Sequence, residues 1–164
     1  MSDEGGAMSD QGSVERRASS VEEHSLSARR SSLRAPTTIR PDGWPRPAGY
    51  ADGILAEGRL LAISGQIGWD PVMGRFHSDD FAEQTAQALR NVVAVLAEAG
   101  AGPEHVARLT WYVTSREEYL ASLKEIGAAY RAVMGRHFPV MSVVEVSALV
   151  ERSAKVEIEA TAVH

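Results

Sequence analysis

Two amphipathic segments, each opened by a capping box, constrain the fold of this chain more than any other feature. The first box is Asp80-x-x-Glu83 and the second is Ser115-x-x-Glu118. Apolar residues recur at helical spacing behind each box, which predicts helices over about 81–99 and from the second box to about 134. Two such helices need an apolar surface to pack on, and the rest of the chain must supply it as strands.

The segments before, between and after the helices predict those strands. Alternation or short apolar runs place them over about 51–57, 59–66, 105–114, 141–150 and 155–163. Glu57-Gly58 predicts a tight hairpin between the first two strands, and a short extra strand near Ile39 stays open. The order β-β-α-β-α-β-β predicts an α+β fold with both helices on one face of a sheet.

The predicted sheet has two different faces. Four apolar positions of the last strand are expected to meet the helices: Val156, Ile158, Ala160 and Ala162. Glu157 and Glu159 point the other way, and we place Met141, Val143 and Glu145 on that second face with them. Because two helices cannot cover both faces of a sheet, this mixture of apolar groups and carboxylates predicts a subunit interface.

Residues 1–38 differ from the rest of the chain. They hold nine serines and no Phe, Trp, Tyr or Ile, and few residues could anchor a core: Val14, Val21, Leu26 and Leu33. This is too little apolar surface to offset the entropy lost on folding. We predict a disordered N-terminal tail over 1–38 and one folded domain over 39–164.

Composition excludes several kinds of site and partner. The chain has no cysteine, so it has no disulfide, no thiolate metal ligand and no cysteine nucleophile. Its formal net charge of −5 at pH 7 disfavours a nucleic-acid partner, which needs a basic surface. No apolar run approaches the roughly 18 residues of a membrane span and no secretory signal pattern opens the chain, so we expect no membrane partner and a cytoplasmic protein.

Five short motifs follow one another through the predicted domain. They are Ala48-Gly49-Tyr50-Ala51-Asp52-Gly53, Ile63-Ser64-Gly65-Gln66-Ile67, Gln87-Ala88-Leu89-Arg90-Asn91-Val92, Phe138-Pro139-Val140-Met141-Ser142 and Val156-Glu157-Ile158-Glu159-Ala160. Together they closely resemble the RidA/YjgF family of small imine and enamine deaminases, over about residues 40–164.

The resemblance implies a chorismate-mutase-like α+β subunit with a mixed sheet, three copies of which form a homotrimer around a central barrel. It implies small-molecule pockets at the subunit interfaces, with no cofactor and no metal. The best-known members of the family hydrolyse 2-imino or 2-enamino acids to 2-keto acids and ammonia. Other members carry an endoribonuclease label.

Carried over position by position, the resemblance assigns roles to several residues. Glu157 matches the catalytic position that holds the attacking water. Tyr50 matches the pocket tyrosine, and Ser64 and Gly65 match the strand end that lines the pocket. Trp69 follows that segment and is a candidate pocket wall.

One part of the expected pocket departs from the family. The family's carboxylate-binding arginine falls on Met141, which offers no charge and no donor for a bidentate clamp. Ser142 and Val143 follow as further candidate pocket residues, Val143 where many members have a cysteine. Arg136 and His137 lie just before and could supply a charge instead.

A structural role stays open for each of these residues. Glu157 could be an interface carboxylate, and Tyr50 could be a packing residue whose hydroxyl finds a backbone partner. Trp69 could pack in an interface, and Met141 is most simply an apolar pocket wall.

An acidic Glu157 beside an apolar Met141 leads to one main hypothesis, the hydrolytic deamination of a small neutral or aromatic imine or enamine without a free 2-carboxylate. The alternative is a non-catalytic trimer that binds or senses a metabolite. RNA cleavage is less well supported, because the domain is acidic and has no basic stripe with interleaved aromatic residues.

Overall fold

The computed structural model describes residues 36–164. Its elements in chain order are β1 (Thr37–Ile39), β2 (Gly53–Leu55), β3 (Leu60–Ile67), β4 (Trp69–Asp70), β5 (Arg75–Phe76), α1 (Phe81–Glu98), a 3-10 turn (Pro103–His105), β6 (Val106–Val113), α2 (Arg116–Ala121), α3 (Leu123–Met134), β7 (Val140–Glu145) and β8 (Val156–Val163). The predicted tail lies outside the described residues except at its end, where Thr37 and Thr38 pair with β2 as part of β1.

Four strands form a mixed sheet in the order β3-β8-β6-β7. β8 runs antiparallel to β3 and β6, whereas β6 and β7 are parallel. α1 packs on β3 and β8, and α3 packs beside α1. Side chains of both helices and the sheet share one core, whose largest fully buried members include Trp111, Leu89, Leu96, Leu109 and Ile158. The predicted α+β class is confirmed, and no helix within residues 36–164 has the length and apolarity needed to cross a membrane.

Both predicted capping residues act as caps. Asp80 Oδ1 accepts a hydrogen bond from the Glu83 N–H (2.9 Å), and Ser115 Oγ accepts one from the Glu118 N–H (3.1 Å). The second helix is not continuous, however, because it breaks at Ser122 into α2 and α3. The Ser122 N–H is shared between two carbonyls of the preceding turn, which tightens the chain at that point.

The predicted hairpin across Glu57-Gly58 is wrong. β2 pairs with β1, and β3 pairs with β8. Gly58 has a φ of +153°, and Arg59 then exchanges backbone hydrogen bonds of 2.8 and 3.0 Å with His164. The chain therefore turns away from β2 at Gly58 and joins the C-terminal strand.

The predicted orientation of β7 is also wrong. In the parallel register Leu109 pairs with Met141 and Trp111 pairs with Val143, and such partners share a face of the sheet. Leu109 and Trp111 are buried under the helices. Met141 and Val143 therefore lie on the covered face, opposite the face that carries Glu157.

Strand β7 is shorter than predicted, since it ends at Glu145 rather than near residue 150. Glu145 pairs with Val113, so it lies on the covered face of the sheet and not on the face that carries Glu157. Its Oε1 accepts a hydrogen bond from the Arg116 N–H (3.0 Å). That N–H belongs to the first residue of α2, and the backbone N–H groups of a helix's first turn have no acceptor within the helix. Glu145 thus anchors a helix N-terminus.

Candidate functional site

The best-defined candidate site lies where β3 and β8 meet. A bulge between Ile63 and Gln66 interrupts their register and brings Gly65 beneath the side chain of Glu157. A Cβ atom added to Gly65 would overlap Oε1 of Glu157 and lie 2.6 Å from its Cδ. Position 65 must be glycine for the carboxylate to keep this place.

Ser64 lies next to this pair and is exposed. Its carbonyl oxygen and its hydroxyl oxygen are 3.1 and 3.4 Å from Nε2 of Gln66, which donates to them. Because the amide is the donor, the hydroxyl proton of Ser64 stays available for a bound molecule. The structure thus places Ser64, Gly65 and Glu157 in one neighbourhood.

The same face of the sheet holds a tyrosine–carboxylate pair that we did not predict as part of a site. Tyr112 pairs with Glu157 across β6 and β8, and its hydroxyl donates to Oε2 of Glu159 (3.1 Å). This hydrogen bond and the negative charge of Glu159 raise the pKa of Tyr112. Alternation along β6 assigns Tyr112 to a face, but only the long-range pairing with β8 places it beside Glu157.

This face of the sheet is uncovered within residues 36–164 and carries exposed apolar side chains. Leu60 is 72% exposed and Val144 is 47% exposed. The face mixes apolar groups with carboxylates as predicted, although Leu60 and Val144 take the places that we had given to Met141 and Val143.

Strand β7 carries Met141, Ser142 and Val143 at the opposite edge of the sheet from β3. Met141 and Val143 pack partly buried against the core, and Ser142 is exposed. Three strand spacings of about 4.8 Å separate β7 from β3. A single chain therefore does not place Met141 beside Glu157.

Trp69 begins β4 and lies two residues after Ile67, the residue of β3 that pairs with Glu157. Trp69 is 38% exposed. Asn91 on α1 holds this turn, because its Nδ2 donates to the carbonyls of Ile67 (3.1 Å) and Trp69 (3.0 Å). The backbone of Trp69 is thus fixed close to the end of β3, and its role as a pocket wall stays a prediction.

Tyr50 lies in a cavity of about 630 Å³ whose lining does not include Ser64, Gly65 or Glu157. Three arginines and one aspartate line it together with Tyr50: Arg40, Arg46, Arg136 and Asp52. We predicted Tyr50 and Arg136 as candidates, whereas Arg40 and Arg46 belong to no motif and only the folded chain brings them together.

His137, the other predicted source of charge, is bound to the backbone. Its Nε2 lies 2.6 Å from the Val106 carbonyl oxygen, and its own carbonyl accepts a hydrogen bond from the Tyr130 hydroxyl (2.9 Å). Burial raises the pKa of Tyr130, so its phenol remains a donor well into the alkaline range. His137 is therefore a structural residue in this chain.

Comparison with protein families and curated proteins places this site in context. The endoribonuclease L-PSP family model matches residues 45–164. A human protein named 2-iminobutanoate/2-iminopropanoate deaminase is 30% identical over 133 residues, which cover 81% of this chain and 87% of the relative. A RutC family protein of Pyrococcus horikoshii is 35% identical over 118 residues, which cover 72% of this chain and 90% of the relative.

Solved structures show the same likeness. The Rid family protein YyfB from Yersinia pestis superposes with a TM-score of 0.69 at 33% identity, covering 80% of this chain and 100% of that one. The YjgF gene product of E. coli superposes with a TM-score of 0.57 at 33% identity, covering 78% of this chain and 98% of that one.

Proposed function

Since this chain belongs to the endoribonuclease L-PSP family, which includes the Rid and YjgF proteins, we propose that it hydrolyses a reactive imine or enamine metabolite in pockets between the subunits of a homotrimer. The deaminase name of the human relative supports the reaction class. One observation carries the proposal: the Glu157 carboxylate is held above Gly65 on a sheet face that stays uncovered within residues 36–164.

The distribution of the candidate residues supports pockets between subunits. Residues 64–65 and Glu157 lie towards one edge of the sheet, and Met141 lies at the other edge on the opposite face. A second copy can bring the β7 edge of one subunit to the β3–β8 end of its neighbour. The exposed side chains of Leu60 and Val144 support burial of the open face between copies.

In the proposed reaction Glu157 acts as the general base. Its carboxylate accepts a proton from water while the water oxygen bonds to the carbon of the protonated C=N group, which gives a carbinolamine. The carboxylic acid returns that proton to nitrogen. The C–N bond then breaks, its electron pair leaves with ammonia, and the hydroxyl gives its proton to the Glu157 carboxylate as the carbonyl forms. An enamine enters this sequence after a proton is added to its carbon.

Met141 defines the substrate class that we propose, because it is only partly buried and lies on the edge strand that a second copy would meet. A thioether has no hydrogen-bond donor and cannot clamp a carboxylate, but it packs well against apolar and aromatic groups. The proposed substrate is therefore an imine or enamine of a small neutral or aromatic metabolite that has no free 2-carboxylate. Trp69 would form an aromatic wall of the pocket.

Replacing Glu157 by glutamine tests the catalytic proposal, because the amide keeps the shape of the side chain and cannot take the proton of water. We expect Glu157→Gln to reduce ammonia release from a neutral aromatic imine, generated in the assay by an amine oxidase, by about 10²–10⁴-fold. Glu98→Gln is the matched control, since it makes the same charge change at an exposed carboxylate at the end of α1, and it should keep the activity. An equal loss in both variants would contradict the role of Glu157.

A second assay tests the substrate class and the assembly. With freshly generated 2-iminopropionate the wild type should be slow, and Met141→Arg should gain activity. Steady turnover of 2-iminopropionate by the wild type would contradict the proposed specificity.

Light scattering coupled to size-exclusion chromatography should give the mass of three chains, and a monomer would contradict the shared pocket.

A non-catalytic trimer that binds or senses a metabolite is the second candidate. The apolar Met141 favours it, because the carboxylate clamp that the resemblance associates with hydrolysis of 2-imino acids is missing. This function predicts saturable binding of a neutral aromatic ketone by both the wild type and Glu157→Gln, with no turnover of any imine in either protein.

A further inference from the structure

We propose that Asp70 and His77 form a clamp that holds the β4–β5 hairpin closed, and that this clamp positions the indole of Trp69 to select an aromatic ligand. The inference rests on the proposed function, because it names the residues that set the preference of the site around Glu157. Trp69 lies two residues after Ile67, the β3 partner of Glu157. Two residues of extended chain span roughly 7 Å. The indole is 38% exposed, so part of its surface is open to a ligand.

The base of the hairpin is fixed to α1 at two points. A Cβ atom on Gly68 would lie 2.5 Å from the Cβ of Gln84, so the backbone packs directly on the helix. The Asn91 amide donates to the carbonyls on both sides of Gly68, those of Ile67 and Trp69. Both contacts hold the chain as far as Trp69, and the rest of the hairpin needs a further constraint.

The hairpin is too short to stay closed by its strand pairing. Two residue pairs join its strands, Trp69 with Phe76 and Asp70 with Arg75. A two-stranded hairpin is at best marginally stable in water by itself. The turn at its end packs on little, since Val72 is 93% exposed. Side-chain hydrogen bonds must therefore keep the two strands together.

One carboxylate supplies these hydrogen bonds. Oδ1 of Asp70 accepts from the backbone N–H groups of Val72 (2.8 Å) and Met73 (3.1 Å), which closes the turn. Oδ2 of Asp70 lies 2.9 Å from Nε2 of His77. His77 comes two residues after Arg75, the partner of Asp70, so the two side chains are diagonal neighbours on one face of the hairpin. Asp70 thus ties both the turn and the returning strand to β4.

The carboxylate of the clamp is charged. The hydrogen bond with His77, and after it those from Met73 and Val72, hold the pKa of Asp70 below its ordinary value. Because an ionised carboxylate only accepts, Nε2 of His77 carries the proton of their hydrogen bond. Charge-assisted hydrogen bonds are stronger than neutral ones. An amide at position 70 would therefore weaken the clamp while it keeps the shape of the side chain.

The clamp acts on Trp69 through the hairpin backbone. Neighbouring side chains of a strand point to opposite faces, so Asp70 and His77 occupy one face while Trp69 and Phe76 occupy the other. Phe76 stands across from Trp69 only while the strands stay paired. Without the clamp the returning strand frays and the indole loses this neighbour. A wall that must be ordered on binding contributes less affinity than a preorganised one.

Acrylamide quenching of tryptophan fluorescence in the full chain tests the clamp without any ligand. The chain has three tryptophans. Trp44 is exposed and Trp111 is buried, so in a Trp44→Phe background the accessible indole is that of Trp69. Acrylamide is neutral, so a charge change in a variant does not by itself alter the quenching. An indole released from the hairpin gains exposure and is quenched more strongly.

Four variants in this background separate the clamp from its surroundings. Asp70→Asn and His77→Leu should each raise the quenching constant, by up to about twofold, because Trp69 is 38% exposed in the closed hairpin. His77→Gln keeps an N–H donor and should restore most of the background value. Asp79→Asn is the matched control, since it makes the same charge change at an exposed carboxylate two residues after His77, and it should leave the quenching unchanged.

Calorimetric titration with two neutral ketones, acetophenone and cyclohexyl methyl ketone, tests the role of the indole. The wild type should bind acetophenone roughly two- to tenfold more tightly. Asp70→Asn should lose this preference and Asp79→Asn should keep it.

Equal quenching in Asp70→Asn and Asp79→Asn would overturn the proposal. So would a wild type without a preference for acetophenone, or a preference that survives in Asp70→Asn. Neither measurement involves turnover, so a protein that passes both and deaminates no imine would contradict the deaminase proposal and not this one.

Discussion

Glu157 holds its carboxylate in the space that a side chain on Gly65 would occupy. The two residues lie on neighbouring strands, and the bulge in β3 lets the carboxylate rest on bare backbone. The position of the candidate catalytic carboxylate therefore depends on the absence of a side chain on the opposite strand. This relation makes Gly65 a positioning residue, and it can be measured as a coupling between two substitutions.

Gly65→Ala should destabilise the protein by about 1–3 kcal/mol, because the new methyl group must displace the Glu157 side chain. Adding Glu157→Ser shortens that side chain and should recover most of the loss. Urea unfolding of the two single variants and the double variant measures the coupling. Additive losses would show that the two side chains do not compete for the same space.

Gly127→Ala should have the opposite effect. Gly127 lies within α3, and a Cβ there would meet only the guanidinium nitrogens of Arg131, at 3.6 and 4.0 Å. Alanine is the better helix former, so we expect a gain of up to about 1 kcal/mol in the free energy of unfolding. The same urea titration checks it, and a loss of stability would mean that α3 packs more tightly at this point than the structure shows.

Gln84→Leu should destabilise the protein by roughly 1–3 kcal/mol, because the buried Gln84 amide bonds three partly buried backbone groups, which lose their partner. Gln84 Nε2 donates to the carbonyls of Ser78 (3.1 Å) and Ser153 (2.9 Å), and its Oε1 accepts from the Lys155 N–H (2.9 Å). Amide exchange at Lys155 should accelerate in the variant. Gln87→Leu on the same helix is the control, and unchanged Lys155 exchange in Gln84→Leu would contradict this role.

Tyr112 should titrate above its ordinary pKa near 10, because Glu159 accepts its hydrogen bond and opposes a second negative charge. A pKa raised by folding adds stability that is present below the unfolded pKa and is lost as the pH rises through the folded pKa. Stability should therefore decline more steeply above about pH 10 in the wild type than in Tyr112→Phe.

Ultraviolet titration of the phenolates measures that shift, with the spectrum of Tyr112→Phe subtracted to isolate one tyrosine. In Glu159→Gln the Tyr112 transition should move to lower pH. An unchanged midpoint would mean that the hydrogen bond to Glu159 does not raise the pKa of Tyr112.

Local chemistry explains which elements could be predicted. The caps at Asp80 and Ser115 depend on side chains within three residues of the helix start, so the sequence alone locates both helix N-termini. Alternation along β8 separates its buried and open faces for the same reason, since neighbouring side chains on a strand point to opposite sides. The family resemblance over about residues 40–164 also came from short local motifs, and the family match confirms it.

The sequence by itself determined the helix starts, the two-faced last strand and the family of this protein, because each is set by residues close together in the chain. Tertiary structure alone decided that β2 joins β1, that Met141 lies partly buried on the helix-covered face of the edge strand β7 and that Arg40, Arg46 and Arg136 line one cavity. Alternation assigns two faces to a strand but does not say which one the helices cover. That choice, like the meeting of distant arginines, is made by packing energy summed over the whole core, which no local pattern records.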